Sequence, residues 1–506
     1  MSSAEDREFD FIARNAVSNP EISRRRLMDW MLKSGYTLGA AAFLSSSAVA
    51  ACGYGGAPIG GPGNPSGGFG GGTDTLKLAV IGPFSGIGSF IGAIATRSLN
   101  AAVQQVNNTG GIGGRKVEVV VYDINAADPQ QPINSYNQIV GGRNIAGIIW
   151  AIPAAPLLQL KDRIAVDQVP IAAAFADMHD ENLLYPAEQA FRPVFQFLLP
   201  DSWAMDTLAK YCKEIRGYTR AGLLYNSTLG GSGDDNPTVR LFKDTMDRYG
   251  IQVKGTAGYQ LGETNFGPRI AEMGDAQTVW MWGLATDTAN AVKSFADSGR
   301  DYVDWDGARS GQRPHLMGSP AALGEKKWAE LAGEAARPGT LTAWHVGGLV
   351  YLPSFEIAKW MAEYNEPGQN RPSGGEETPA DAMYILANAV QRAGSTDGKA
   401  MIEAIENAGR QRFASIDFEF TADNHLARDK DDVIIVTLER GGIPADPTYT
   451  LGREWTEIFP PGYVGPTHLV YPTLEANQRR HPDVMAEVLA GPWGAIQQDN
   501  KPGPTH

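Results

Sequence analysis

Over most of this chain, short apolar runs alternate with helix-length amphipathic runs, and the alternation restarts partway along. The first series opens with a strand at Leu76 to Ile81, closed by Gly82-Pro83, and a helix from Ile91 to Val106 that ends at Asn107-Asn108-Thr109-Gly110-Gly111. A strand at Val117 to Tyr122, an Asp128-Pro129 helix start running to about Val140, a strand at Ile145 to Trp150 and one near Pro170 to Ala174 follow. The second series reads helix from Asp201 to Ile215, strand Ala221 to Tyr225, helix Thr238 to Tyr249, strand Gln252 to Gly255, helix Phe266 to Met273, strand Thr278 to Trp282 and helix Thr288 to Ser298. Continuous apolar strands separated by helices of this length imply βαβ units and a parallel sheet covered on both faces. Two such series predict an α/β protein with two doubly wound halves. Leu341 to Tyr351, a helix around Asp381 to Arg392 and a strand at Val433 to Leu438 remain to complete them.

A length of 506 residues agrees, being too long for one core and sufficient for two plus tails. With 43% hydrophobic and 20% charged residues, the bulk should fold. A net charge of −14 and the lack of a basic stripe argue against a nucleic-acid partner, whose phosphates demand clustered Lys and Arg. Of the two cysteines, Cys52 and Cys212, the second lies in a helical run and is expected to be a free, buried core residue.

The N-terminal segment reads as an address. Ser23-Arg24-Arg25-Arg26-Leu27-Met28 precedes an apolar, small-residue stretch from Tyr36 to Ala51, and Val49-Ala50-Ala51 leads into Cys52. The stretch is too short and too rich in Ala, Gly and Ser for a stable membrane-spanning helix. The segment resembles a twin-arginine export signal, carried by Arg24 and Arg25, that ends in a lipoprotein processing box; Asp29 departs from it where a Lys is usual. That resemblance implies cleavage before Cys52, a diacylglyceryl group on its thiol and attachment at the outer face of the cytoplasmic membrane. Gly53 to Gly72, mostly glycine with several prolines, reads as a flexible tether.

Residues 75 to about 440 resemble the leucine/isoleucine/valine-binding family of type I periplasmic binding proteins. The resemblance is carried by Ala79-Val80-Ile81-Gly82-Pro83-Phe84-Ser85-Gly86, by Asn107 to Gly114, and by Val121-Tyr122-Asp123 with Asp128-Pro129 after it. In the second half it rests on Ala221 to Tyr225, Thr264-Asn265-Phe266 and Pro314 to Gly318. It implies two doubly wound parallel-sheet lobes joined by three crossover segments, near Leu199 to Ser202, Thr342 to Gly347 and Phe418 to Asp423. The expected organisation is signal peptide 1–51; lipidated Cys and tether 52–73; lobe I 74–200 with 346–418; lobe II 201–345 with 420–459; and a C-terminal extension 460–506. The implied function is that of an ABC importer's solute-binding receptor, which captures a small molecule by hinge closure and delivers it to a membrane permease.

Ligands of doubly wound sheets meet the loops at the carboxyl ends of the strands. The expected ligand-binding residues are therefore Phe84, Ser85, Trp150, Ala154, Phe175 and Asp177 in one lobe, and Asn226, Trp282, Ala285 and Ser319 in the other. By the resemblance, amino-acid binders hold the α-carboxylate with hydroxyls after the third and fourth strands, and the ammonium with a second-lobe carboxylate. Here the first of those loops reads Ile152-Pro153-Ala154-Ala155-Pro156 without a hydroxyl, the next carries Asp177, and the second-lobe acid position reads Ser319-Pro320. A carboxylate ligand would be repelled by Asp177. The ligand is therefore expected to be a small organic solute other than a standard α-amino acid, with Trp150, Phe175, Trp282 and Trp203 as flat walls. The family's ordinary amino-acid ligand is the alternative, and an exported sensor or enzyme is the alternative from another class.

Enzyme readings have little to rest on. Gly82 to Gly88 has the glycine spacing of a short-chain dehydrogenase loop, but Pro83 removes one amide and no Tyr is followed four residues later by Lys. No G-x-S-x-G, H-E-x-x-H, C-x-x-C or P-loop occurs, and His179, His315 and His345 are not at ligand spacing. No cofactor and no metal site are expected.

Overall fold

The computed structural model describes residues 58–59, 75–86, 88–142, 144–176, 178, 184, 189–298, 314–319, 328, 331–335, 341–345, 377–411, 413–414, 418–430, 433–438 and 455–457. The strands are β1 (Pro58–Ile59), β2 (Leu76–Gly82), β3 (Val117–Asp123), β4 (Ile148–Trp150), β5 (Ile171–Ala173), β6 (Val194–Gln196), β7 (Arg220–Asn226), β8 (Gln252–Tyr259), β9 (Thr278–Trp282), β10 (His315–Gly318), β11 (Leu341–His345), β12 (Val433–Leu438) and β13 (Trp455–Glu457). The helices used below are α1 (Ser89–Asn108), α2 (Gln130–Gly142), α3 (Ala155–Gln159), α4 (Lys161–Asp167), α5 (Asp201–Lys210), α6 (Pro237–Arg248), α7 (Gly267–Glu272), α8 (Ala285–Asp297), α9 (Glu377–Ala393) and α10 (Gly398–Glu406).

Strand alternation builds the cores. In β2, Leu76, Leu78 and Val80 enter a cluster with α1, α9 and α10, while Ala79 and Ile81 face the opposite cluster with α2, α3 and α4. Both faces of the sheet are thus covered, as its unbroken apolar strands require. The first sheet runs β1-β3-β2-β4-β5-β6, parallel except for β1. The second runs β13-β12-β11-β10-β9-β7-β8, with β12 and β13 antiparallel to their neighbours. Its faces are covered by α5 and α6 on one side and α7 and α8 on the other. This is the type I periplasmic binding protein fold, α/β with a parallel sheet in each of two lobes.

The order reverses between β2 and β4 in the first sheet and between β7 and β9 in the second. Each lobe therefore opens a crevice at the carboxyl ends of those strands. Phe90, in the first turn of α1, packs against the second-lobe cluster that contains Ala285 and Ala289 of α8, so the two crevice ends approach each other.

The first crossing lies between β6 and α5; residues 346–376, which separate β11 from α9, lie outside the described residues. The third is displaced from the expected Phe418 to Asp423. Phe418 and Phe420 still pack in the first lobe, with ring centroids 5.4 and 5.5 Å from Phe197, and the amides of Gln196 and Ala427 bond to His425 O and Gln196 O. The chain leaves the first lobe only between Arg428 and Val433.

Cys212 is buried in a π-helical turn after α5, with Sγ 3.6 Å from Met317 Sδ. Burial pushes its thiol well above the ordinary range. It is expected to react with a thiol reagent only after denaturation, and rapid labelling of native protein would contradict this placement.

Candidate functional site

The first-lobe loop after β2 is organised by an acid. Asp123, at the end of β3, accepts hydrogen bonds from Phe84 N (2.7 Å), Ser85 N (3.1 Å) and Ser85 Oγ (2.6 Å). The amides that a pyrophosphate would need are therefore engaged by a carboxylate. Gly92 lets α1 lie directly under this loop, since a Cβ there would meet Phe84 Cα at 2.6 Å. The glycines serve a turn and close helix packing, Gly86 and Gly88 having φ of 66° and 89°.

The other expected first-lobe residues divide. Trp150 has no exposed surface, and its indole donates to Pro153 O at 3.3 Å, so it packs within the first-lobe core. Ala154 is also buried, just before α3. Phe175 is half-buried against the first-lobe core. Asp177 lies outside the described residues, as do Cys52, Arg24 and Arg25.

In the second lobe the loops after β7, β9 and β10 converge. Asn226 Oδ1 accepts from Thr228 N at 2.8 Å and caps a single helical turn. Ser319 is buried, its hydroxyl donating to Gly283 O at 3.4 Å, and Ala285 is the buried first residue of α8. Trp282, 5% exposed, donates from Nε1 to Asp201 Oδ2 at 2.8 Å and stacks on Trp280 at 6.1 Å. It is thus packed rather than presented as a free face. Asp201, 2% exposed, begins α5, and its bond to Trp282 ties the segment after the first crossing to the crevice end of β9.

Tyr259 donates to Trp282 O at 3.0 Å across the space that Gly283 leaves open, since a Cβ at 283 would overlap the phenol oxygen. Gly283→Ala should break that bond and cost about 1–3 kcal/mol in a urea melt. An unchanged midpoint would show that this close approach does not matter. Asp287, in the first turn of α8, is buried and accepts from Gly262 N at 2.8 Å; burial pushes its carboxyl up to about 6 from an ordinary 3.8.

The crossings carry their own polar contacts. Lys430 Nζ lies 2.8 Å from Asp206 Oδ2 on α5, while Tyr249, just after α6, donates to Asp206 Oδ1 at 3.0 Å. Arg428 donates to Phe197 O at 3.1 Å, joining the third crossing to the first. Behind it, Glu406 receives two 2.7 Å bonds from Arg192, and His425 lies 3.3 Å from Glu406 Oε1 and 3.1 Å from Val194 O. Reading the sequence did not single out Asp123, Asp201, Arg192 or Glu406 for a role. Only Asp123 carried a signal, an acid closing an apolar strand.

A family model described as periplasmic binding protein matches residues 75–442. The chain is 23% identical over 341 residues to the leucine-, isoleucine-, valine-, threonine- and alanine-binding protein of Pseudomonas aeruginosa, covering 66% of this chain and 82% of that one. A periplasmic binding protein type 1 from Bordetella pertussis Tohama I superposes with a TM-score of 0.60 at 22% identity, over 73% of this chain and 98% of that chain. A solute binding protein of an ABC transporter from Rhodopseudomonas palustris BisB5, solved with 3,4-dihydroxy benzoic acid, superposes with a TM-score of 0.58 at 16% identity, over 76% of this chain and 95% of that chain. With the match spanning both sheets and both crevices, the chain belongs to the periplasmic binding protein family.

Proposed function

We propose that this protein is the extracytoplasmic receptor of an ABC importer, which closes its lobes on a small organic solute, hands it to the permease and catalyses no reaction. The observation that carries this reading is the pair of switch-point crevices brought end to end, with Phe90 of one lobe packed against the other. Burying a solute between such crevices stabilises the closed form, which a membrane partner can then distinguish from the open one. Export by the twin-arginine signal and anchoring through a lipid on Cys52 belong to the same proposal. No helix among the described residues is long and apolar enough to cross a membrane.

The solute is proposed to be something other than a free α-amino acid. Asp123 already occupies the amides and hydroxyl of the Phe84-Ser85 loop, and its charge opposes a second carboxylate there. The name of the Pseudomonas relative favours aliphatic amino acids instead. A thermal-shift screen of the protein separates the two readings, using leucine, valine, threonine and alanine against catechol, aromatic amides and polyamines. A binder held at 100 times its Kd raises stability by about 2.7 kcal/mol. A shift with leucine and none with the other compounds would overturn the ligand class while leaving the receptor role intact.

A further inference from the structure

From the polarity of β1 we infer that the N-terminal anchor holds the crevice end of lobe I toward the membrane; the orientation rests on the lipid proposed for Cys52. β1 pairs antiparallel with the outer edge of β3, Pro58 opposite Val120 and Ile59 opposite Val119. β3 runs from the far end of the lobe at Val117 to the crevice end at Asp123, which binds the Phe84-Ser85 loop. Because β1 is antiparallel, it runs from the crevice end at Pro58 toward the far end at Ile59, the end at which β2 begins with Leu76 opposite Val117.

Length makes this polarity consequential. Only five residues separate Cys52 from Pro58, a stretch that can span at most about 20 Å. Without the pairing, the 22 residues between Cys52 and Thr75 would reach roughly 80 Å and impose no orientation. The occupant also suits the edge. Val-Glu-Val-Val-Val-Tyr at 117–122 is a β-prone run whose outer hydrogen-bonding groups would otherwise invite another chain, and a proline in the covering strand is tolerated because it lies at the sheet edge.

The test uses the full processed protein on phosphatidylcholine/phosphatidylglycerol vesicles that carry an energy-transfer acceptor in the headgroup layer. Donors are placed at Gln130→Cys, exposed beside the crevice end of β3, or at Val166→Cys, 78% exposed near the start of β5 at the far end. Transfer should be higher from Gln130 than from Val166, and Pro58→Gly with Ile59→Gly should abolish the difference. Hydrogen exchange at 118–122, read without vesicles, should quicken about tenfold or more in that double variant, because the edge amides lose their partner. Unchanged exchange would overturn the pairing, whether the edge is bare or covered by a second copy. Protected exchange with equal transfer from both donors would overturn the orientation. Protected exchange with no vesicle association would overturn the Cys52 anchor, and the orientation with it, while the pairing stands.

Discussion

Trp282→Ala should cost about 3–5 kcal/mol of folding stability, the range for removing a large buried aromatic side chain. The indole is 5% exposed, stacked on Trp280 and bonded to a buried carboxylate, so its loss empties core volume and takes a donor from Asp201. Trp282→Phe keeps most of the packing and should cost about 1–2 kcal/mol, chiefly the indole–carboxylate bond. Urea melts followed by circular dichroism measure both. A wall residue facing solvent would behave differently, with a cost below about 1 kcal/mol and the effect confined to solute affinity.

Arg192→Ala should cost about 2–4 kcal/mol. Breaking a buried pair by removing one partner strands the other charge, and the figure is reduced here because the Arg192 side chain is 34% exposed. Burial alone would push the Glu406 carboxyl up, but the bonds from Arg192 and His425 outweigh it and hold it down to about 2, from an ordinary 4.5. A carboxylate whose folded pKa is depressed contributes stability that is complete above the unfolded value. The contribution should therefore be full above pH 4.5 and disappear as pH falls from 4.5 toward 2. In Arg192→Ala that acid-limb slope should flatten. An equally steep slope in the variant would show that the pair does not carry it.

The strands were legible wherever a run was long enough to be apolar throughout. β2, β3, β7, β9 and β12 fall within a residue or so of their expected ends, since a strand covered on both faces shows no alternation to misread. β6 escaped notice because it has only three residues, and its place depends on pairing with β5 and with residues near Leu426. The burial of Trp282, expected as a flat wall, has a geometric reason. In β9, Trp280 and Trp282 share the face toward α5 and α6, while Val279 and Met281 take the other, so alternation sets Trp282 beside the buried Trp280. Asp201 was invisible as a partner because it meets Trp282 across 81 residues of sequence. The third crossing was placed too early because Phe418 and Phe420 look like any strand end, and only their packing on Phe197 assigns them to the first lobe.

Closure on a solute is measured most directly by the distance between the lobes. Donor and acceptor dyes at Val166→Cys and Glu272→Cys, exposed near the outer ends of the first and second lobes, leave the buried Cys212 unlabelled. Single-molecule energy transfer with leucine, catechol and the other compounds of the screen should show two populations. The compound that raises the melting temperature should move molecules from one to the other, with a midpoint at its Kd. A compound that binds one to one and stabilises the fold, yet leaves the interlobe distance unchanged at saturation, would contradict capture by hinge closure.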